Sequence, residues 1–242
     1  MTPTDPQARR AELAANLERV RTRIALAADA VGRSHEEITL VAVTKFFPAS
    51  DVRHLAALGV TDVGENRHQE AEAKAADCAE LDSLRWHYIG GLQSNKAAAV
   101  ARYSDIVESV DRVKLLPGLA RGATERGRPL GVLVQISLDS SDRSAASQRG
   151  GIHPDAAPRL ADAVAGESHL DLLGVMAVAP LGGSPAAAFE RLADIADRIR
   201  RDHPAATAIS AGMSGDLEDA IRFGATHVRV GSAILGNRPL SK

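Results

Sequence analysis

Residues 38–48 read "ITLVAVTKFFP". From Ile38 to Thr44 the run is dominated by apolar and β-branched residues with no polar alternation, the mark of a strand buried on both faces. Such strands belong to parallel sheets covered by helices, so this segment points to an α/β fold. The run stops on Lys45, which is followed by Phe46, Phe47 and Pro48 in a chain with only four Phe, two Tyr and one Trp. An ammonium group at the mouth of a buried strand needs a chemical reason.

The same strand signal recurs on both sides of a series of amphipathic stretches. Upstream, Asp5 to Val31 reads as one long helix, with Leu13, Leu17, Val20, Ile24 and Ala27 at three- and four-residue steps and Gly32 as its stop. Downstream come "TDVG" (61–64), "RWHYIG" (85–90), "SDIVES" (104–109), "GVLVQISL" (131–138), "LDLLGVMAV" (170–178), "TAIS" (207–210) and "THVRV" (226–230). With the first run these make eight strands, each followed by a helical stretch. Eight βα units in 242 residues predict a single (β/α)8 TIM barrel over 38–238, preceded by an extra helix over 1–32, as one domain spanning 1–242. A doubly wound open sheet is the competing architecture. It calls for a Gly-rich turn after the first strand, and here that turn is "TKFFP", with neither a G-x-G-x-x-G nor a Walker A pattern. The most loop-like segment, "SSDRSAASQRGG" (140–151), suits a long βα loop better than a domain boundary.

Bulk composition narrows the function classes. Net charge is −2, which offers no electrostatic attraction for nucleic acid or an anionic membrane. The one cysteine, Cys78, rules out a disulfide framework and a cysteine-based zinc site, and reads as a helical thiol. No segment reaches the ~18 apolar residues of a membrane span. The polar start "MTPTDPQARRAEL" lacks a secretory signal's apolar core, so a cytoplasmic protein is expected.

In a barrel, chemistry collects where the strands end. Those ends form a polar, glycine-rich rim, expected to sit above an apolar barrel. After strands seven and eight come "GMSGD" (Gly212–Asp216) and "VGSAILG" (Val230–Gly236), the two loops that commonly hold phosphate in this architecture. Their glycines allow close backbone approach, Ser214 and Ser232 add hydroxyl donors, and N–H groups at a helix start favour an anion. Lys45 ends strand one on the same rim. Partial desolvation there lowers the pKa of its amine and prepares it to attack an aldehyde. Two readings follow from this pair: an aldolase acting on a phosphorylated sugar, or pyridoxal 5′-phosphate held on Lys45 as a Schiff base.

Read in order, "VAVTK", "GEN" (64–66), "WHYIGGLQSNK" (86–96), "ESVDR" (108–112) and "SAGMSGDLEDAIRFGATHVRVGSAILGNR" (210–238) resemble the signature segments of the YggS/PROSC family, the pyridoxal phosphate homeostasis proteins. The resemblance implies a barrel like the N-terminal domain of alanine racemase, carrying pyridoxal 5′-phosphate covalently on Lys45. It places Asn66 beside the cofactor, Ser214 with the backbone of Gly231 and Ser232 on the phosphate, and Arg229 at the pyridine nitrogen. His87, Ile89, Ser210 and Met213 become pocket wall. Two departures stand out: Arg67 follows "GEN" where the family often has tyrosine, and the 138–151 loop is longer than the family's. The resemblance further implies a carrier that passes the cofactor to apo-enzymes, without strong catalysis of its own. A racemase-like enzyme is the alternative, but the second base that racemases recruit is a tyrosine from an additional domain, and only Tyr88 and Tyr103 occur here. Without that dimerising domain, a monomer is expected.

Overall fold

The computed structural model describes residues 5–139 and 150–237. All eight apolar runs form strands: β1 (Thr39–Val43), β2 (Asp62–Glu65), β3 (Arg85–Tyr88), β4 (Ile106–Val110), β5 (Leu130–Gln135), β6 (Leu170–Met176), β7 (Ala208–Ser210) and β8 (His227–Val230). They pair in parallel in chain order, and β8 pairs with β1 to close the barrel. The crossovers contain α2 (Ala49–Ala57), α3 (His68–Asp77), α4 (Ala97–Tyr103), α5 (Leu116–Arg126), α6 (Ala157–Ala165), α7 (Pro185–Asp202) and α8 (Leu217–Arg222). A short α9 (Ser232–Leu235) follows the last strand. Among the described residues no helix is long and apolar enough to cross a membrane.

The long first helix, α1, runs Pro6–Asp29. Asp5 caps it by accepting from the Gln7 amide, and Gly32 takes up a positive φ of 69° just past its end. Its stripe buries Leu13, Leu17, Val20, Ile24 and Ala28 against β1, β8, α8 and α9. Ala27, expected in the stripe, is only half-buried at its edge. A larger apolar cluster lies on the other side, under α4 to α7. The long loop expected over 138–151 falls largely outside the described residues. At its ends, Ile136 bridges Ile152.

Barrel closure determines what meets at the rim. In the β1–β8 seam Val41 pairs with Arg229 and Ala42 with Val230, so Val43 and Gly231 leave their strands at the same level. A Cβ on Gly231 would lie 3.3 Å from the Val43 carbonyl oxygen. The absence of a side chain there lets the two backbones run side by side. Residues far apart in the chain, Lys45 and the "GSAILG" segment, thereby become neighbours.

The barrel interior corrects one expectation. It is not apolar throughout: Asp62, His87, Glu108, Ser210 and Arg229 are all buried within it. Apolar fill from Ile106, Leu133 and Met176 occupies the remainder.

Candidate functional site

A cavity of about 430 Å³ opens at the C-terminal end of the barrel. Lys45, Phe46, Val43 and Ile89 line one side, Met213, Ser214, Gly215, Gly231 and Ser232 the other, and Arg229 lies in its floor. Of the expected residues, Lys45, Ser214, Arg229, Gly231, Ser232, Ile89 and Met213 are thus brought together. His87 and Ser210 are not in the lining; both sit a layer deeper, within the barrel. Asn66 is also outside the lining. Its backbone packs so tightly on Gly90 that a Cβ there would come within 2.3 Å of the Asn66 oxygen, and its Oδ1 is buried with no hydrogen-bond partner.

Lys45 is half-buried, on a turn made by the "KFFP" sequence. Pro48 stands at the N-cap of α2 and Phe46 adopts φ 72°, a left-handed conformation that costs a bulky residue on the order of 1–3 kcal/mol. Both phenylalanines line the cavity, but their other contacts differ. Phe47 packs into the cluster under α1, with the Arg9 guanidinium 5.7 Å above its ring. Phe46 lines the cavity, with the Arg67 guanidinium 5.5 Å from its ring centre. Arg67, the residue after "GEN", therefore backs an aromatic wall rather than supplying one.

On the opposite side, Gly212 (φ 86°) turns the chain after β7, and the Met213 amide donates to Asp216 Oδ1 at 2.6 Å. That bond turns the loop's one carboxylate back on its own backbone. The Ser232 hydroxyl donates to Ser214 Oγ at 3.4 Å, so two hydroxyls converge from separate strands. A Cβ on Gly215 would meet nothing within 4 Å, which leaves that stretch of backbone open to an approaching group.

Below the floor a line of alternating charge crosses the barrel. Arg229 donates to Ser210 Oγ at 2.6 Å and to the Ala177 carbonyl at 2.7 Å, with Glu108 Oε2 3.6 Å away. Ser210 in turn donates to Glu108 Oε2 at 2.6 Å. His87 links Glu108 Oε1 at 2.7 Å to Asp62 Oδ1 at 2.8 Å, and Arg85 closes the line on Asp62 at 2.8 Å. Burial disfavours the His87 imidazolium, but the hydrogen bonds it donates to two carboxylates outweigh that and push its pKa up to about 9. Burial likewise works against the charged carboxyls of Asp62 and Glu108. Their hydrogen bonds and proximity to the imidazolium prevail, and both titrate at about 2. His227, 6.2 Å from the His87 ring, goes the other way: burial holds it neutral, down to about 4. Burial also lowers the pKa of Arg229, against the attraction of Glu108.

A second charged cluster, on the outer face of β2, was not anticipated. Lys74 of α3 is buried. Its Nζ donates to Glu65 Oε1 at 2.5 Å, the Thr44 carbonyl at 2.9 Å and Glu70 Oε1 at 3.2 Å. The i, i+4 spacing of Glu70 and Lys74 was the available signal.

A barrel closed by eight parallel strands, with a lysine ending the first strand and hydroxyl- and glycine-bearing loops after the last two, defines a class. The family model described as "Alanine racemase, N-terminal domain" matches residues 11–239. Over 245 residues the chain is 42% identical to the pyridoxal phosphate homeostasis protein of Mycobacterium leprae (strain TN), covering 94% of this chain and 93% of that one. With the protein of the same name from Escherichia coli (strain K12) it shares 38% over 240 residues, 96% of this chain and 99% of the other. Among solved structures, PipY of Synechococcus elongatus PCC7942 with PLP bound superposes with a TM-score of 0.77 at 31% identity, over 93% of this chain and 100% of that one. The chain belongs to the pyridoxal phosphate homeostasis protein family, built on the alanine racemase N-terminal-domain barrel.

Proposed function

We propose that this chain binds pyridoxal 5′-phosphate and acts in its intracellular homeostasis as a carrier, holding the cofactor covalently through Lys45 and releasing it to apo-enzymes. The observation that carries the reading is the cavity at the β1–β8 seam, which Lys45, Ser214, Ser232 and Arg229 line together. Pyridoxal 5′-phosphate supplies an aldehyde at one position of its ring and a phosphate anion at another. The donor set fits both ends: an amine on one wall, and on the other two hydroxyls with the open backbone of Gly215 and the neighbouring Gly231. Asn66, with its buried and unpartnered Oδ1 at the end of β2, is the further polar group assigned here to the cofactor.

Arg229 fits the same occupant. Held by Ser210, Ala177 and Glu108, it presents a fixed positive charge to the cavity. A cation facing the pyridine nitrogen disfavours its protonation, which makes the ring a weaker electron sink. Among the described residues, no Asp, Glu, His, Cys or Tyr lines the cavity, so no second acid–base group faces the one on Lys45 as racemisation requires. Tyr88 lies buried on the helix side of β3, and burial pushes the Tyr103 phenol up as it stacks on His68. Both facts favour carriage over turnover.

The test is direct. Purified protein incubated with pyridoxal 5′-phosphate should develop near-visible absorption, and borohydride should fix the added mass on the peptide containing Lys45. Lys45→Ala should lose both signals while keeping the far-ultraviolet dichroism of the parent. A wild-type chain that stays colourless defeats the reading. Exchange of amino-acid α-protons in heavy water at enzyme-like rates would replace the carrier with a racemase-like enzyme.

A further inference from the structure

Lys45 is flanked on both sides by residues gripped from outside the barrel. On its N-terminal side, the Thr44 carbonyl accepts from Lys74 Nζ at 2.9 Å and the Thr44 hydroxyl donates to Glu65 Oε1 at 2.6 Å. On its C-terminal side, the Phe46 amide donates to Glu70 Oε1 at 2.5 Å. The three gripping side chains hold each other, because Lys74 Nζ also reaches Glu65 Oε1 and Glu70 Oε1 at 2.5 and 3.2 Å. Glu65, Lys74 and Thr44 are almost completely buried. A buried ammonium between carboxylates is an expensive arrangement that a barrel does not need for its own stability. Here its bonds converge on the two peptide units that bracket one residue.

The grip also coincides with strain. Phe46, whose amide Glu70 receives, is one of two non-glycine residues with positive φ among those described. Such a conformation persists only where the surroundings over-determine it. The bonds to residues 44 and 46 supply that determination.

We propose that Glu65, Lys74 and Glu70 form a clamp of positioning residues, which fixes the backbone of the Lys45 turn so that the Lys45 amine is presented to the cavity. None of the three lines the cavity, so they act through the lysine. The clamp also sorts the two lysines. Lys74 has three N–H groups and three acceptors within 3.2 Å, so it is committed as an ion-pair donor. Lys45 is the one at the cavity wall. Glu65 is the second letter of the "GEN" segment, and Glu70 and Lys74 follow five and nine residues later, so one strand end and the helix after it supply the whole clamp.

The inference rests on the functional reading above for its chemistry, but not for its geometry, and two measurements keep them apart. Glu70→Ala removes the half-buried acceptor with little risk to folding. The double variant Glu65→Gln with Lys74→Met removes both buried charges together and leaves neither unpaired. In each, native-state hydrogen exchange at the Phe46 amide should accelerate by about tenfold or more, with no ligand present. Stopped-flow capture of added pyridoxal 5′-phosphate, read by the near-visible band, should slow by about tenfold or more, while Tm moves little in Glu70→Ala. Glu70→Gln, which keeps an acceptor oxygen, should recover most of the rate. Parental exchange and parental capture rates in both variants would overturn the clamp. So would faster exchange with unchanged capture, since the grip would then hold the turn without presenting the amine. A wild-type chain that captures no pyridoxal 5′-phosphate would defeat the functional reading, and presentation of the amine with it.

Discussion

The charge line through the barrel makes a specific demand on pH. Consider first the wild-type chain. The His87 imidazolium sits between Asp62 and Glu108 with both ring nitrogens bonded, and titrates at about 9 against an ordinary 6.5. Because the folded value is the higher one, the stabilisation is complete below pH 6.5 and disappears as pH rises towards 9. At about 1.4 kcal/mol per pH unit, the interval amounts to about 3 kcal/mol. On the acid side the sign reverses. His227 is held neutral down to about 4, so the unfolded chain takes up its proton first and stability falls as pH drops below 6.5. Asp62 and Glu108, titrating at about 2, add a further loss from about pH 4.5 downwards. Stability should therefore peak near pH 6.5. Urea unfolding followed by circular dichroism at half-unit steps from pH 5 to 9.5 gives the curve directly. His87→Gln should unfold more easily at pH 6.5 by about 3–5 kcal/mol, because two buried carboxylates lose their common partner, and its stability should no longer fall between pH 6.5 and 9. Wild-type stability that is flat or rising across that interval would refute the charged His87.

Two further outcomes bear on the proposed phosphate side of the cavity. The pair Ser214→Ala and Ser232→Ala together should weaken equilibrium binding of pyridoxal 5′-phosphate by at least about tenfold, read by spectroscopic titration, since hydrogen bonds to a charged group are worth about 1.5–3 kcal/mol each; unchanged affinity would remove these hydroxyls from the site. Gly212→Ala places a Cβ 2.6 Å from Ala220 Cβ and 3.0 Å from Leu217 Cα, at φ 86°. The start of α8 must shift, so Tm should fall by about 4–8 °C, on the basis of about 2 kcal/mol for a chain of this length.

The strands were legible because a parallel barrel buries both faces of each one, leaving apolar runs such as Val41–Val43 and Val132–Val134 with little competing signal. Parity was legible too: Tyr88 faces the helices and His87 the interior, as alternation requires. Depth was not. Whether an inward residue lines the mouth or lies beneath it depends on register with its neighbours, and His87 pairs with Gly64 and Ile106 rather than at the rim. The clamp was hidden for a different reason. In "HQEAEAKAAD", Glu70 and Lys74 look like any solvated helix pair. Only the docking of α3 against β2 turns Lys74 inward, to a relative exposure of 5%.

The seam between β1 and β8 carries one last implication, for a chain still being made. Lys45 is synthesised early, but the strand beside it and the loop bearing Ser232 come nearly two hundred residues later in the 242-residue chain. At the pace of translation, some 5–20 residues per second, about ten seconds or more separate them. Throughout that time a nascent chain has an amine but no anion cradle and no walls. Under the proposed function, a reactive aldehyde gains a specific hold only when the ring of strands is complete, so that possession of the ligand would report a finished fold.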